Sequence, residues 1–285
     1  MRTRLSFRRK TVNAIMLTTT GLCTLLSIGV LIFILGYLLV QGGKFLSWDF
    51  LTKLPVPVGE AGGGMANAIV GSGKILLLAT LIGVPIGFLA GVYLAEYGRA
   101  GFSSVVRFIT DLLNGIPSIV MGIFAYTLIV LRMKHFSAFA GGVALGVMMI
   151  PIALRSTEEF LRAVPVSLRE AAMALGAPKW KTVATVVIPA AIRGILSGMM
   201  LNLARVAGET APLLFTALSN QFWSPGWNQP TATVPVMIYT YAIAPYPDWH
   251  RQAWAAGFLL LTMVLVVNVT ARSIIASGMS HKSRV

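Results

Sequence analysis

The sequence predicts an all-α integral membrane protein of six transmembrane helices. Of its 285 residues 56% are hydrophobic and only 11% charged, whereas a soluble domain carries about 25% charged residues. Six apolar stretches approach or exceed the roughly 20 residues needed to cross a hydrocarbon core. The basic residues between these stretches fall mainly on one side, as the positive-inside bias of membrane proteins requires.

The elements follow in order. Residues 1–14 form a basic tail, with Arg2, Arg4, Arg8, Arg9 and Lys10. The apolar run 15–40 is longer than the 7–15 residues of a cleavable signal core, and no A-x-A site follows it, so it stays as the first helix. Residues 41–66 make an outer loop rich in Gly and Pro, expected to pack irregularly over the bundle. The core, 67–275, holds the remaining spans near 67–94, 108–131, 139–154, 194–218 and 254–275. A polar loop at 155–193 separates the fourth span from the fifth, and 276–285 is a second basic tail. Small residues recur at four-residue spacing at Ala79, Gly83, Gly87, Gly91 and Ala95, at Gly142 and Gly146, and at Gly194 and Gly198. Such rows let helices approach closely in lipid. The outer loop 219–252 carries Trp223, Trp227, Tyr239, Tyr241, Tyr246 and Trp249, suited to the headgroup belt. Within it, 235–244 is either a short re-entrant helix closing the outer mouth or an interfacial anchor.

The formal charge of +14 by itself suggests nucleic acid, but its distribution argues against that reading. With the N-terminus inside, sixteen basic residues lie on the cytoplasmic side and five outside, leaving Lys74 and Arg205 within spans. Six crossings return the C-terminus to the cytoplasm. Single Cys23 allows no intrachain disulfide, and His135, His250 and His281 have no metal-ligand spacing. Gly71-Ser72-Gly73-Lys74 imitates a phosphate-binding loop, but Ala68 and Ile75 stand where a glycine and a Ser or Thr are needed. The chain is therefore not expected to hydrolyse ATP. Lys74 either snorkels to the outer interface or attracts anions there.

Two segments depart from membrane-grade composition. In EAAMALGAPKWKTVATVVIP, from Glu170 to Pro189, three alanines favour a short helix. Gly176 can take the positive φ that ends it, and Pro178 prevents immediate continuation. Two short helices at a fixed angle make a rigid knob. In the fifth span, Arg205 and Glu209 lie four residues apart and so on one face of a continuous helix, with Thr210 beside them. Arg205 falls about 16 Å past Gly194, near mid-bilayer, where an arginine costs about 2.5–3.5 kcal/mol and must face the bundle interior or water. The pair is either a structural ion pair or a site where the guanidinium fork attracts an oxyanion while Glu209 limits its grip.

Glu170-Ala171-Ala172, Gly176 and Val186-x-Ile188-Pro189 resemble the EAA loop, the cytoplasmic coupling element of permeases in ATP-binding-cassette (ABC) importers. Leu168-Arg169 before it, the string 115–122 (GIPSIVMG) and above all 205–217 (RVAGETAPLLFTA) resemble the PstA-type permeases of phosphate ABC transporters. The resemblance implies a type I ABC importer permease of MetI-like architecture in the bacterial inner membrane, with both termini cytoplasmic. It implies that Glu170, Ala171, Ala172 and Gly176 couple to an ATPase and that Arg205, Glu209 and Thr210 line the path. Implied partners are a PstC-like second permease, a dimer of ATPase subunits and an extracytoplasmic phosphate-binding protein. ATP and Mg would be bound by the ATPase, so this chain would be no enzyme and need no cofactor. The rival expectations are a permease for sulfate or molybdate, and a membrane component relaying phosphate status to a sensor kinase.

Overall fold

The first helix, α1 (Arg2–Gly43), runs 42 residues and stands clear of the rest of the chain. None of its most apolar 18-residue window is buried. Thr18, Thr20, Thr24 and Ser27 each donate to their own carbonyl four residues back. Those four hydroxyls are thus satisfied within the helix, as an apolar surrounding requires. Among the described residues α1 meets the bundle at its outer end, where Tyr37 packs edge-on against Trp254 at 5.0 Å. There Gly42 lies so close to Trp254 and Phe258 that an added Cβ would stand 2.5 Å from each. The computed structural model describes residues 2–60 and 62–280; His281, Lys282 and Arg284 of the basic tail lie outside the described residues.

The outer loop is more ordered than its Gly and Pro content suggests. A short helix, α2 (Trp48–Thr52), is capped by Ser47, whose hydroxyl accepts from the Phe50 N–H, and buries Phe50. α3 (Ala66–Val92) continues into a π turn, Tyr93–Tyr97. Beyond it come α4 (Ala100–Gly115), α5 (Ser118–Ala125), a second π turn at Tyr126–Val130, and α6 (Leu131–Met133). α7 (Ala138–Arg162) is followed by the short α8 (Val166–Ala174) and α9 (Lys179–Thr182), then a third π turn, Val183–Val187. α10 (Ile188–Ala207), α11 (Ala211–Thr216), α12 (Val234–Ile243) and α13 (Pro247–Ser280) complete the described chain. No strand occurs among the described residues.

α3 and α7 form the centre, and the glycine rows explain their closeness. A Cβ at Gly83 would stand 2.5 Å from Met149 Cβ, one at Gly87 2.6 Å from Ala153 Cβ, and one at Gly91 2.6 Å from Thr157 Cβ. On α10, Gly194 receives the ring of Phe160 and Gly198 receives Ser156, both from α7. These glycines are packing devices. Without a hydrophobic drive between helices in lipid, such close van der Waals contact is what holds a bundle together.

Among the described residues five helices are long and apolar enough to cross a membrane, or six if α4 and α5–α6, which are bent by 100°, count as one broken span. The third span is therefore not the straight helix expected over 108–131. Ile116 is extended (φ −71°, ψ 130°), because the residue before a proline is pushed out of the helical region. The helix restarts only after Pro117. Pro85 and Pro151, by contrast, sit inside unbroken helices. The fourth span exceeds 139–154 and runs from Ala138 to Arg162, capped by Ser137, which accepts from Ala140 N–H. The fifth is not continuous over 194–218: α10 stops at Ala207, Gly208 caps it, and Pro212 lies in the first turn of α11.

The segment 235–244 resolves toward the interior. α12 buries Val234, Pro235, Val236, Met237 and Tyr241. It is pinned to α3 by Ser72, whose hydroxyl accepts from Val234 N–H at 2.9 Å.

Candidate functional site

The polar loop folds into the expected two-helix knob. Glu170, Ala171 and Ala172 lie on α8, and Gly176 takes φ +84°. Gly176 N–H donates to Met173 O at 2.9 Å and Ala177 N–H to Ala172 O at 3.3 Å. That pair of bonds is a Schellman cap, which closes the helix's last carbonyls. Pro178 then starts α9. The knob leaves large apolar side chains in the open: Leu175 is 90% exposed and Trp180 66%. Exposed apolar groups clustered on a rigid protrusion mark a contact surface.

Arg205 sits where two cavities meet. One, of about 190 Å³, is lined by Asn114, Ile116, Pro117, Ser118, Met121, Met148, Pro151, Arg205 and Glu209 among others. The second, of about 760 Å³, is lined by Asn114, Ile152, Arg155, Ser156, Glu159, Ser197, Asn202 and Arg205 among others. Met148, Pro151 and Ile152 occupy the middle of α7, so the junction lies halfway along the bundle, on an open face where Arg205 is exposed. Asn202 fixes the register, its Nδ2 donating to Met149 O at 3.0 Å, one helical turn before Arg205. The broken third span contributes its break to this site: the N-terminus of α5, with no side-chain cap, borders the smaller cavity at Ser118. Helix N-termini carry partial positive charge, so Arg205 and α5 present one sign of field to the cavity.

The pairing expected between Arg205 and Glu209 is absent: neither side chain makes a hydrogen bond or ion pair with the other among the described residues. The cause is the helix end. Gly208 N–H bonds Arg205 O and Glu209 N–H bonds Val206 O, both three residues back. Such bonds tighten the turn and carry Glu209 off the face that Arg205 occupies. Both side chains line the smaller cavity separately. Thr210 lines neither cavity; its carbonyl accepts from Leu213 and Leu214 at the start of α11. Lys74 is engaged elsewhere, its Nζ donating to Ser224 O at 2.6 Å and Pro225 O at 3.0 Å.

A second charged group was hidden in the sequence among residues that set topology. Arg107 on α4 donates from Nε to Glu158 Oε1 of α7 at 2.7 Å, and Arg162 reaches the same oxygen at 2.9 Å. Glu158 is buried. Arg155 is held more loosely, 3.5–4.0 Å from Asp111, Glu158 and Glu159. The legible signal was the spacing of Arg155, Glu158 and Arg162 at i, i+3 and i+7, one face of a helix; the partner on α4 had none. No group of three or more His, Cys, Asp or Glu placed to hold a metal ion occurs among the described residues.

An all-helical membrane bundle with two broken spans flanking a close-packed centre, an arginine halfway along it and a protruding knob is the architecture of an importer permease. The fold compares with a bacterial ABC transporter that imports alginate (TM-score 0.59, 15% identity, 96% of this chain and 98% of that one). It also compares with the MetNI methionine ABC transporter (TM-score 0.59, 20% identity, 75% and 96%). Residues 83–277 match the family described as binding-protein-dependent transport system inner membrane component. The chain belongs to that family. Over its length it is 47% identical to the phosphate transport system permease protein PstA of Yersinia pestis, covering 94% of this chain and 91% of the relative. The PstA protein of Xylella fastidiosa is 44% identical, covering 94% of each, and PstA 1 of Mycobacterium tuberculosis 39%, covering 74% and 70%.

Proposed function

We propose that this chain is the membrane permease subunit of an ATP-driven importer that carries inorganic phosphate inward by alternating access. The observation that carries the reading is Arg205, a guanidinium halfway along the bundle that makes no ion pair among the described residues and lines both cavities. Its planar fork matches the oxygens of a tetrahedral anion, and the N-terminus of α5 adds to the same field. Glu209 in the smaller cavity opposes the anion and keeps its occupancy reversible. The likeness to PstA proteins at 44–47% identity supports phosphate over sulfate or molybdate.

In this reading Glu170, Ala171, Ala172 and Gly176 shape the knob that docks on a separate ATPase dimer, which binds ATP and Mg²⁺. A PstC-like permease completes the pathway, and an extracytoplasmic phosphate-binding protein delivers the substrate. Both termini face the cytoplasm in this reading, which the distribution of basic residues supports. ATP binding draws the knobs together and opens the bundle outward; hydrolysis returns it.

The test is ATP-dependent uptake of radiolabelled phosphate by the full complex in proteoliposomes. Arg205→Gln is expected to lower uptake about 10- to 100-fold, the scale of a lost charge-assisted hydrogen bond, with assembly intact. Normal uptake by a correctly assembled variant removes Arg205 from the path. Competition by unlabelled sulfate or molybdate as strong as by phosphate would reassign the substrate.

A further inference from the structure

A buried ion pair ties the first helix of the knob to the bundle. Arg169 on α8 is mostly buried (16% exposed), and its partner Glu96 more so (5%). Arg169 donates from Nη2 to Glu96 Oε1 at 2.7 Å and from Nε to the same oxygen at 3.2 Å. Its remaining donors reach Leu161 O in the last turn of α7, at 2.7 Å, and Val164 O just beyond that helix. One guanidinium thus joins the coupling helix, the last turn of α7 and the π turn that ends α3. The other arm of the knob meets the same turn: Lys179 of α9 lies over the ring of Tyr97, 5.0 Å from its centre. A π turn is a place where helical hydrogen bonding is locally rearranged, and it recurs at functional positions.

From that turn a rigid route runs inward. Gly91, Gly87 and Gly83 seat α3 on α7 without slack. Met149 of α7 holds Asn202, and Asn202 stands one turn before Arg205. The Glu96–Arg169 pair is therefore a direct side-chain link by which displacement of α8 reaches α3.

We propose that the π turn Tyr93–Tyr97 is the anchor through which the coupling knob drives the bundle, with Glu96 as a positioning residue that grips Arg169 and Tyr97 as a secondary support for Lys179. This rests on the reading of the chain as a permease powered by a separate ATPase. Glu96 touches neither substrate nor nucleotide; it acts through Arg169.

The experiment measures phosphate transported per ATP hydrolysed in the complete reconstituted complex, beside co-purification of the ATPase subunits. Glu96→Ala is expected to leave ATP hydrolysis within about twofold while transport falls about tenfold, an uncoupled motor; Glu96→Asp restores most of the ratio. A merely structural role would lower both activities together and leave the ratio unchanged. Should Glu96→Ala not assemble, the surface variant Tyr97→Ala is expected to lower the ratio two- to threefold in an assembled complex. A wild-type ratio in assembled Glu96→Ala, or in Tyr97→Ala where Glu96→Ala does not assemble, overturns the proposal. Absence of ATP-dependent uptake in the wild type instead overturns the permease reading on which it rests.

Discussion

The seam between α3 and α7 and the region around α4–α5 and α10–α11 are built on opposite principles. Along the seam the helices are unbroken even where Pro85 and Pro151 interrupt the hydrogen-bond ladder, and glycine meets side chain without a gap. Around the site two spans are interrupted, at Ile116–Pro117 and at Gly208, and the space so opened holds Arg205 and Glu209. A backbone that is irregular in the membrane is tolerated where it lines a cavity or is buried in protein. The contrast teaches that a proline alone does not break a helix. α3 and α7 keep their prolines because close packing over-determines their path, whereas the chain at Pro117 has a cavity on one side and is free to turn.

The comparison can be broken at its boundary. Glu158→Ala strands Arg107 between α4 and α7, and losing one partner of a buried pair costs about 3–5 kcal/mol; thermal unfolding of the purified subunit is expected to show it as the largest loss. Gly87→Ala, which adds one methyl to the seam 2.6 Å from Ala153 Cβ, is expected to cost about 1–3 kcal/mol by overpacking, read in the same assay. A stability unchanged by that substitution would mean the seam is loose. At the site the expectation reverses: Arg205→Gln leaves unfolding where it was and lowers uptake about 10- to 100-fold.

The smallest effect belongs to the knob. Gly176 has open space about it but a φ of +84°, so Gly176→Val meets no neighbour and suffers only the left-handed backbone penalty, about 1–2 kcal/mol. Its signature is impaired transport from a distorted bend, with little change in the unfolding of the bundle. Wild-type hydrolysis and transport in that variant would remove the knob from coupling.

The spans were legible because lipid demands long apolar runs, and the knob was legible because Gly176 and Pro178 impose their conformations locally. The Schellman bonds followed from those two residues alone. What stayed hidden depended on distance in the chain. Glu96 and Arg169 are 73 residues apart and Arg107 and Glu158 are 51 apart; each looked like a charge at a membrane boundary. The separation of Arg205 from Glu209 was misread for a different reason. Their spacing fits one helix face, and only the three-residue hydrogen bonds at Gly208 and Glu209 show that the helix has already ended.

The free-standing first helix has a practical consequence. Its Cys23 is the sole thiol in the sequence and is exposed, and neighbouring Gly21 has nothing within 4 Å. The native chain therefore carries a ready-made labelling point midway along α1. A fluorophore or spin probe attached there should report which neighbour covers that helix once the other subunits arrive.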